Sequence, residues 1–520
     1  MCCFYSSALI MSSHHQTAQL LQQAVALHQR GDLHQAETLY AEVLRREPEN
    51  FDALHLTGVL ARQGGAPEAA IDLIGRAIAI DGGKAVAHCN LGAALQDAQR
   101  HEAALASFDR ALALQPGYAM ALANRGNALR KLGRIDEALA SYDAALASTP
   151  AYPEALCNRG IALHQLGRRA EALDSFGQAL TLRPGHAASY CGAAVTLQSL
   201  GRHEEAREAY RTAIELDPEY AEAWSSYGTL MQRMGDYQGA LDCHEHAAQL
   251  QPGRATTHLH RANALRALKR NEEAVAAYRD ALACGADADT VGYQLAALGA
   301  GTAPSMPPPQ YVTALFDQYA DDFDHHLQSV LHYRVPQLLM AALDGHLGGT
   351  AQPVLDVIDI GCGTGLCGPL LRPYARALAG VDLSPQMLER ARRRNVYDEL
   401  ACADIVEFLQ ARPAPVGLVV AADVLVYLGD LQPVLRAVRR VLCDGGLFAF
   451  SVEALDAGDY ALRPSGRYAH SRAYLQALAQ AYGFHVDSIV SQVLRQDEGG
   501  DVQGLIALFS LPRVAGEGAP

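Results

Sequence analysis

The run Asp359-Ile360-Gly361-Cys362-Gly363-Thr364-Gly365 leaves a β-rich stretch, VLDVIDI, and enters a helical one. Glycines at such a turn let the backbone bend sharply and let a ligand lie against it without meeting a side chain. Their spacing is GxGxG, whereas a dinucleotide cradle uses GxGxxG to seat a pyrophosphate on the helix terminus. The difference favours a nucleoside without phosphates. Asp382 ends a second predicted strand 23 residues after Asp359, close to the roughly 20-residue offset at which a carboxylate meets ribose hydroxyls. Asp404, at a third strand tip, is placed to accept from an adenine amino group. Asp423, at a fourth, stands where two reactants would meet.

These residues need a scaffold that brings strand tips to one edge. After Pro353, β-rich runs such as VLDVIDI, ALAGVD, GLVVAAD and GLFAFSVE alternate with helical segments. This texture predicts βαβ units and a parallel sheet with ligands at the carboxyl ends of its strands. Ser384-Pro385 reads as the cap and first residue of the helix after the second strand.

In order and with strand contexts intact, these motifs resemble class I S-adenosyl-L-methionine-dependent methyltransferases, from about residue 311 to 511. The resemblance implies a Rossmann-like α/β domain with a mostly parallel seven-stranded sheet and a terminal antiparallel strand. It further implies that Asp359, Gly361, Cys362, Gly363 and Gly365 border the methionine portion of the cofactor, that Asp382 with Leu383 holds its ribose, and that Asp404 with Ile405 flanks adenine. VLCDGGLFAFSVE is similar to the family's helix, turn and fifth strand, although Cys443-Asp444 stands where Lys-Pro is common. FHVDSIVSQVLRQ and DVQGLIALFS are similar to its terminal antiparallel pair.

FDQYADDFDHHL, ADVLVYLGDL and SGRYAHS, together with the repeats described below, resemble bacterial proteins described as predicted methyltransferases containing tetratricopeptide repeats. That likeness implies a helical lid over the cofactor, with Tyr319 and Arg334 close to it. The alternative is that Tyr319 and Phe323 are packing aromatics. Methyl transfer from a sulfonium is an in-line displacement, so the protein supplies alignment and water exclusion. A general base is needed only for an acceptor that is protonated at working pH. Tyr427, Glu453 and His470 are the catalytic candidates; His470 has a packing or solvent role as its alternative, and Glu453 a solvated turn. Arg467 suits an anionic substrate or an ordinary surface pair. No [DN]PP[YF] tetrapeptide follows the fourth strand and no Pro-Cys dipeptide occurs, so DNA amino-group and cytosine C5 methylation find no support.

Residues 17–288 divide into eight blocks of 34 without insertion. Position 20 is Ala36, Ala70, Ala104, Ala138, Ala172, Ala206, Ala240 and Ala274. Position 8 is small in every block, position 24 is aromatic in most, and position 32 is usually proline. Helices approach closely only where Gly or Ala sits at the crossing; an aromatic fills the gap beside it, and proline ends the second helix. The pattern closely resembles the tetratricopeptide repeat, which implies an all-α superhelix with a concave groove. Asn90, Asn124 and Asn158 share position 6, and Asn127 and Asn263 share position 9. They resemble the asparagine ladder of protein O-GlcNAc transferases and are the peptide-binding candidates; the alternative is a common polar residue at an exposed position.

The expected division is an N-terminal extension (1–16), eight repeats (17–288), a linker (289–310), a helical lid (311–346), the methyltransferase domain (347–513) and a tail (514–520). A net charge of −15 disfavours nucleic acid as a partner. Eleven cysteines without a CxxC pair give no metal site and point to a reducing cytoplasm. The N-terminus lacks a basic flank and does not read as a signal peptide, with Met11 an alternative start. No stretch reaches the roughly 18 apolar residues of a membrane span. Three functions follow: a methyltransferase whose repeats recruit a protein or carrier-bound substrate, a scaffold with an inactive or cofactor-sensing domain, and a nicotinamide oxidoreductase, which the glycine spacing opposes.

Overall fold

A computed structural model of the chain describes residues 2–319, 324, 327, 331–347, 354–413, 415–497 and 500–513; the side chains of 2–14, 318 and 319 lie outside that description. The chain forms two compact units, Met1–Pro252 and Gly253–Pro520.

The first unit is a series of antiparallel helix pairs, such as Ala119–Lys131 with Ile135–Ser148 and Pro153–Gln165 with Arg169–Leu182. Each pair is one 34-residue block, and the expected columns are its contacts. A Cβ on Gly126 would stand 2.5 Å from Tyr142 Cε1, and one on Gly160 would stand 2.7 Å from Phe176 Cε1. The glycine is therefore the socket into which the ring of the second helix is pressed. Tyr142, Phe176, Ala138 and Ala172 are buried. Residues 2–16, expected as an extension, continue the first helix, Cys2–Arg30.

The eighth pair, Ala255–Ala267 with Asn271–Ala283, belongs to the second unit. The expected linker departs from its reading, because residues 288–297 form a further helix. Asp287 caps it by accepting from the Thr290 amide at 2.8 Å, and it buries Val291 and Tyr293.

The sheet of the second unit has nine strands in the described residues: β1 Leu355–Ile360, β2 Ala375–Asp382, β3 Glu399–Cys402, β4 Val416–Ala421, β5 Leu442–Leu455, β6 Tyr460–Leu462, β7 Tyr468–Ser471, β8 His485–Asp497 and β9 Gly500–Ser510. Their order is β3-β2-β1-β4-β5-β7-β6, and β3 through β5 run parallel. The lower part of β5 pairs with β9, which pairs with β8, both antiparallel. The parallel core and the terminal pair are those expected; the small β6–β7 hairpin is extra and rests on the tip of β5 at Glu453–Leu455.

Both faces of the sheet are covered, which is why its central strands are apolar throughout. The helix Val335–Leu347 lays Val335, Leu339 and Leu343 on one face; Leu409, Leu435 and Leu475 cover the other. With its sides sealed, the sheet offers ligands only its edges. Among the described residues no helix is long and apolar enough to cross a membrane.

Candidate functional site

A cleft opens at the carboxyl ends of β1 to β4, lined among others by Asp359, Gly361, Gly363, Asp382, Asp404 and Asp423.

The turn after β1 is built on left-handed glycines, with φ +65° at Gly361 and +54° at Gly363. A Cβ at Gly361 would lie 2.3 Å from Val424 Cγ2, whereas one at Gly363 would meet nothing within 4 Å. The first glycine thus serves packing, and the second keeps the cleft wall bare. Asp382 ties the tips of β1 and β2 together, accepting from the Gly363 amide through Oδ2 and the Ser384 amide through Oδ1, both at 2.9 Å. Burial pushes its carboxyl above the usual range, and these amides pull it back.

Asp359 is buried. Its Oδ2 accepts from the Tyr397 hydroxyl at 2.6 Å, while Oδ1 has no partner among the described residues. Burial drives its carboxyl up to about 7, against the pull of Tyr397 and with a push from Asp382. Asp404 uses Oδ1 to cap the next helix, accepting from Val406 and Glu407 amides at 2.8 and 3.1 Å. Leu383, Ile405 and Cys362 also line the cleft.

The helix Pro309–Tyr319 and the residues after it supply further ties. Asp317 accepts from the Ser384 hydroxyl, and Asp324 accepts from Thr364 and pairs with Arg394. Phe316 meets the Tyr427 ring edge to face at 5.3 Å. The Tyr319 side chain and Phe323 lie outside the described residues. Arg334 corrects an expectation: it is exposed, and its neighbour Tyr333 lines the cleft instead.

Two of the three candidate bases are absent from the cleft lining. His470 is fully buried beside Tyr474, with Nε2 donating to the Gly429 carbonyl at 3.0 Å. Burial lowers its ring to about 4, so it is a neutral core residue. Glu453 is buried and held by the guanidinium of Arg495, which also donates to both oxygens of Asp423 at 3.1 and 3.3 Å. Tyr427 does line the cleft, and burial raises its hydroxyl above the ordinary range.

Arg495 was not foreseen; a lone cation inside the strand run SQVLRQ was its only signal. Also unforeseen are Met306, Pro307 and Pro309, which wall the cleft from the supposed linker. That segment is fastened down: the Ser305 carbonyl accepts from the Gly429 amide at 2.8 Å, and the Pro304 carbonyl accepts from the Tyr468 hydroxyl. Tyr293 of the preceding helix donates to the Gly466 carbonyl at 2.7 Å.

In the repeats, Asn127 Oδ1 accepts from Tyr142 at 2.7 Å and Asn263 Oδ1 from Tyr278 at 2.6 Å. Their carboxamide oxygens are thus engaged inside their own hairpins, because position 9 lies over the position-24 ring. Asn90 meets His55 Nε2 at 2.9 Å. Asn124 and Asn158 are half-buried on their helices.

Known proteins resemble the repeats and the sheet-bearing region separately. A family described as methyltransferase domain matches residues 358–448. Families described as TPR repeat or tetratricopeptide repeat match 21–85, 85–118, 126–167, 153–186, 196–235 and 228–289. Methyltransferase-like protein 27 of Homo sapiens is 34% identical over 135 residues, 25% of this chain and 54% of its own length. Malonyl-[acyl-carrier protein] O-methyltransferase of Enterobacter lignolyticus (strain SCF1) is 33% identical over 153 residues, 29% of this chain and 57% of its own. The chain thus spans about half the length of these relatives. A crystal structure of a tetratricopeptide repeat protein from Parabacteroides merdae ATCC 43184 is 21% identical, with a TM-score of 0.35, over 53% of this chain and 96% of that one. The chain carries an array of tetratricopeptide repeats followed by a methyltransferase domain.

Proposed function

We propose that the protein is an S-adenosylmethionine-dependent methyltransferase whose repeats recruit a protein or a carrier-bound substrate. The observation that carries this reading is the cradle of Gly361, Gly363, Asp359 and Asp382 at the tips of β1 and β2. Bare backbone at Gly363 leaves room for a ligand pressed against the turn. The unpartnered Oδ1 of Asp359 suits the ammonium of a methionine portion. Asp382 keeps lone pairs for two ribose hydroxyls after accepting its two amides. Asp404 and Ile405 suit adenine, and Asp423 stands toward the acceptor.

When bound, the cofactor supplies a methyl group on a positively charged sulfur, already activated for displacement. The chain's part is to align and to exclude water. Asp317 and Asp324 tie their segment to Ser384, Thr364 and Arg394 beside the cradle, a closing role. The name of the Enterobacter relative, an acyl-carrier-protein methyltransferase, favours the carrier-bound class of substrate. For recruitment we assign Asn90, Asn124 and Asn158 to the groove.

Titration calorimetry with S-adenosylmethionine, S-adenosylhomocysteine and NAD tests the cofactor. The first two bind and NAD does not; Asp382→Ala loses at least about tenfold in affinity, the loss expected for charge-assisted hydrogen bonds. Binding of NAD alone, or an Asp382→Ala variant as tight as the parent, overturns the reading. Tritiated cofactor in a lysate, with and without the repeats, then tells whether label goes to protein or to small molecules.

A further inference from the structure

Asp423 follows the tip of β4 and lines the cleft with its neighbours Ala422 and Val424. Its φ is +56°, and among the described residues it is the only cleft-lining residue other than glycine in the left-handed region. An L side chain resists that conformation because its Cβ crowds the following carbonyl oxygen, although Asp tolerates it better than most. Something must hold it there.

Two other strands do. The Asp423 amide donates to Ser451 Oγ of β5 at 2.8 Å. Arg495 of β8 donates from Nη1 to both Asp423 carboxylate oxygens at 3.1 and 3.3 Å, and from Nη2 to Glu453. Ser451 and Glu453 are two apart on β5 and so share one face of the strand; the first grips Asp423 directly and the second grips it through Arg495. All three holders are buried, Ser451 completely. Arg467 adds only longer ion pairs, 3.5 Å to Asp423 and 3.8 Å to Glu453.

The next residue shows what this turn achieves. A Cβ on Gly361 would run into Val424, meeting its Cβ at 2.5 Å and its Cγ1 at 3.1 Å, so the valine is seated directly on that glycine. Gly361 is itself left-handed, with φ +65°, and it opens the turn that forms the cradle. β1 and β4 pair side by side in the sheet. Their two left-handed residues thus work as socket and wedge.

We propose that Asp423 is a backbone wedge for the cradle: Ser451 and Arg495 hold it left-handed, that conformation seats Val424 on Gly361, and the seated valine fixes the turn against which the methionine portion lies. This rests on the cofactor reading above. Ser451, Glu453 and Arg495 are positioning residues, acting on the cofactor only through the backbone at residue 423.

The test compares substitutions at residue 423 in the full chain, by calorimetry with S-adenosylhomocysteine and by urea unfolding. Both Asp423→Gly and Asp423→Ala remove the carboxylate, but only glycine adopts a positive φ freely. Asp423→Gly therefore binds S-adenosylhomocysteine about tenfold more tightly than Asp423→Ala, the ratio that a left-handed penalty carries. It also unfolds at a higher urea midpoint, the reverse of the usual order of glycine and alanine. Ser451→Ala is a milder variant: it weakens binding about fivefold in the parent, as loss of one hydrogen bond does. In the Asp423→Gly background the same change costs less than about twofold, because a glycine needs no holder and the two effects are not additive. Failure of S-adenosylhomocysteine to bind the parent, with Asp423→Gly still the more stable variant, sinks the cofactor reading alone and leaves the left-handed hold standing. Equal affinity of Asp423→Gly and Asp423→Ala in a chain whose parent binds overturns the wedge, and so does an equal loss from Ser451→Ala in both backgrounds.

Discussion

The Tyr397 hydroxyl donates to Asp359 Oδ2 at 2.6 Å, leaving Oδ1 of the same buried carboxyl unpartnered among the described residues.

A pH dependence follows from this arrangement. Burial holds Asp359 up at about 7, above the roughly 3.9 of an unfolded chain. The folded chain therefore binds the extra proton, so this group lends stability at low pH and withdraws it as pH climbs from about 4 to about 7. Affinity for a cationic methionine portion runs the other way. Binding of S-adenosylhomocysteine weakens by up to about tenfold per pH unit below 7 and is flat above it. Tyr397→Phe removes a pull that lowers the pKa, and moves the midpoint to higher pH. Calorimetry between about pH 5.5 and 8.5 reads both; an affinity that ignores pH refutes the assignment.

Two glycines of one turn separate folding from binding. Gly361→Ala drives a methyl into Val424 and costs about 2–4 kcal/mol, seen as a lower urea midpoint. Gly363→Ala meets open space and costs only about 1–2 kcal/mol for its left-handed backbone. It nonetheless loses most nucleoside affinity, since the methyl occupies cleft space.

Arg495 and its two carboxylates are a stability element. Arg495→Met removes the hydrogen bonds of Asp423 and Glu453, whose side chains are 11% exposed, leaves them only the longer ion pairs with Arg467 at 3.5 and 3.8 Å, and destabilises the second unit by about 2–3 kcal/mol. Glu453→Gln likewise lowers the melting temperature. Unchanged stability with lost turnover would instead return Glu453 to the list of bases.

The Tyr142–Asn127 clamp separates structural from groove asparagines. Asn127→Ala leaves a buried hydroxyl unpaired and costs about 1–3 kcal/mol in urea unfolding. Asn124→Ala with Asn158→Ala costs less and instead weakens capture of the native partner; equal stability losses for both sets would erase the distinction.

What the sequence disclosed follows from the range of the interactions. The turn at Gly361 and Gly363 was legible because its conformation is written in adjacent residues, and Asp382 because it closes a β-rich run at a set distance from Asp359. The 34-residue columns were legible because each block repeats one local packing problem. Arg495 and Glu453, 42 residues apart, meet only because β9 carries β8 beside β5, a pairing no local pattern announces. Met306 and Pro307 read as a linker because proline excludes a helix, yet proline does not exclude burial in a wall. His470 was a candidate base by residue type with packing as its alternative, and its depth in the core is a fact of tertiary structure that its local sequence does not carry.

The bond from Tyr293 to the carbonyl of Gly466, the residue before Arg467, bears on how such proteins exchange parts. Swapping in a foreign repeat array at the proline run would strip away a helix that buttresses the cleft wall at Arg467. A chimaera that keeps the second unit whole should be spliced ahead of Gly253, carrying the last native repeat along with it.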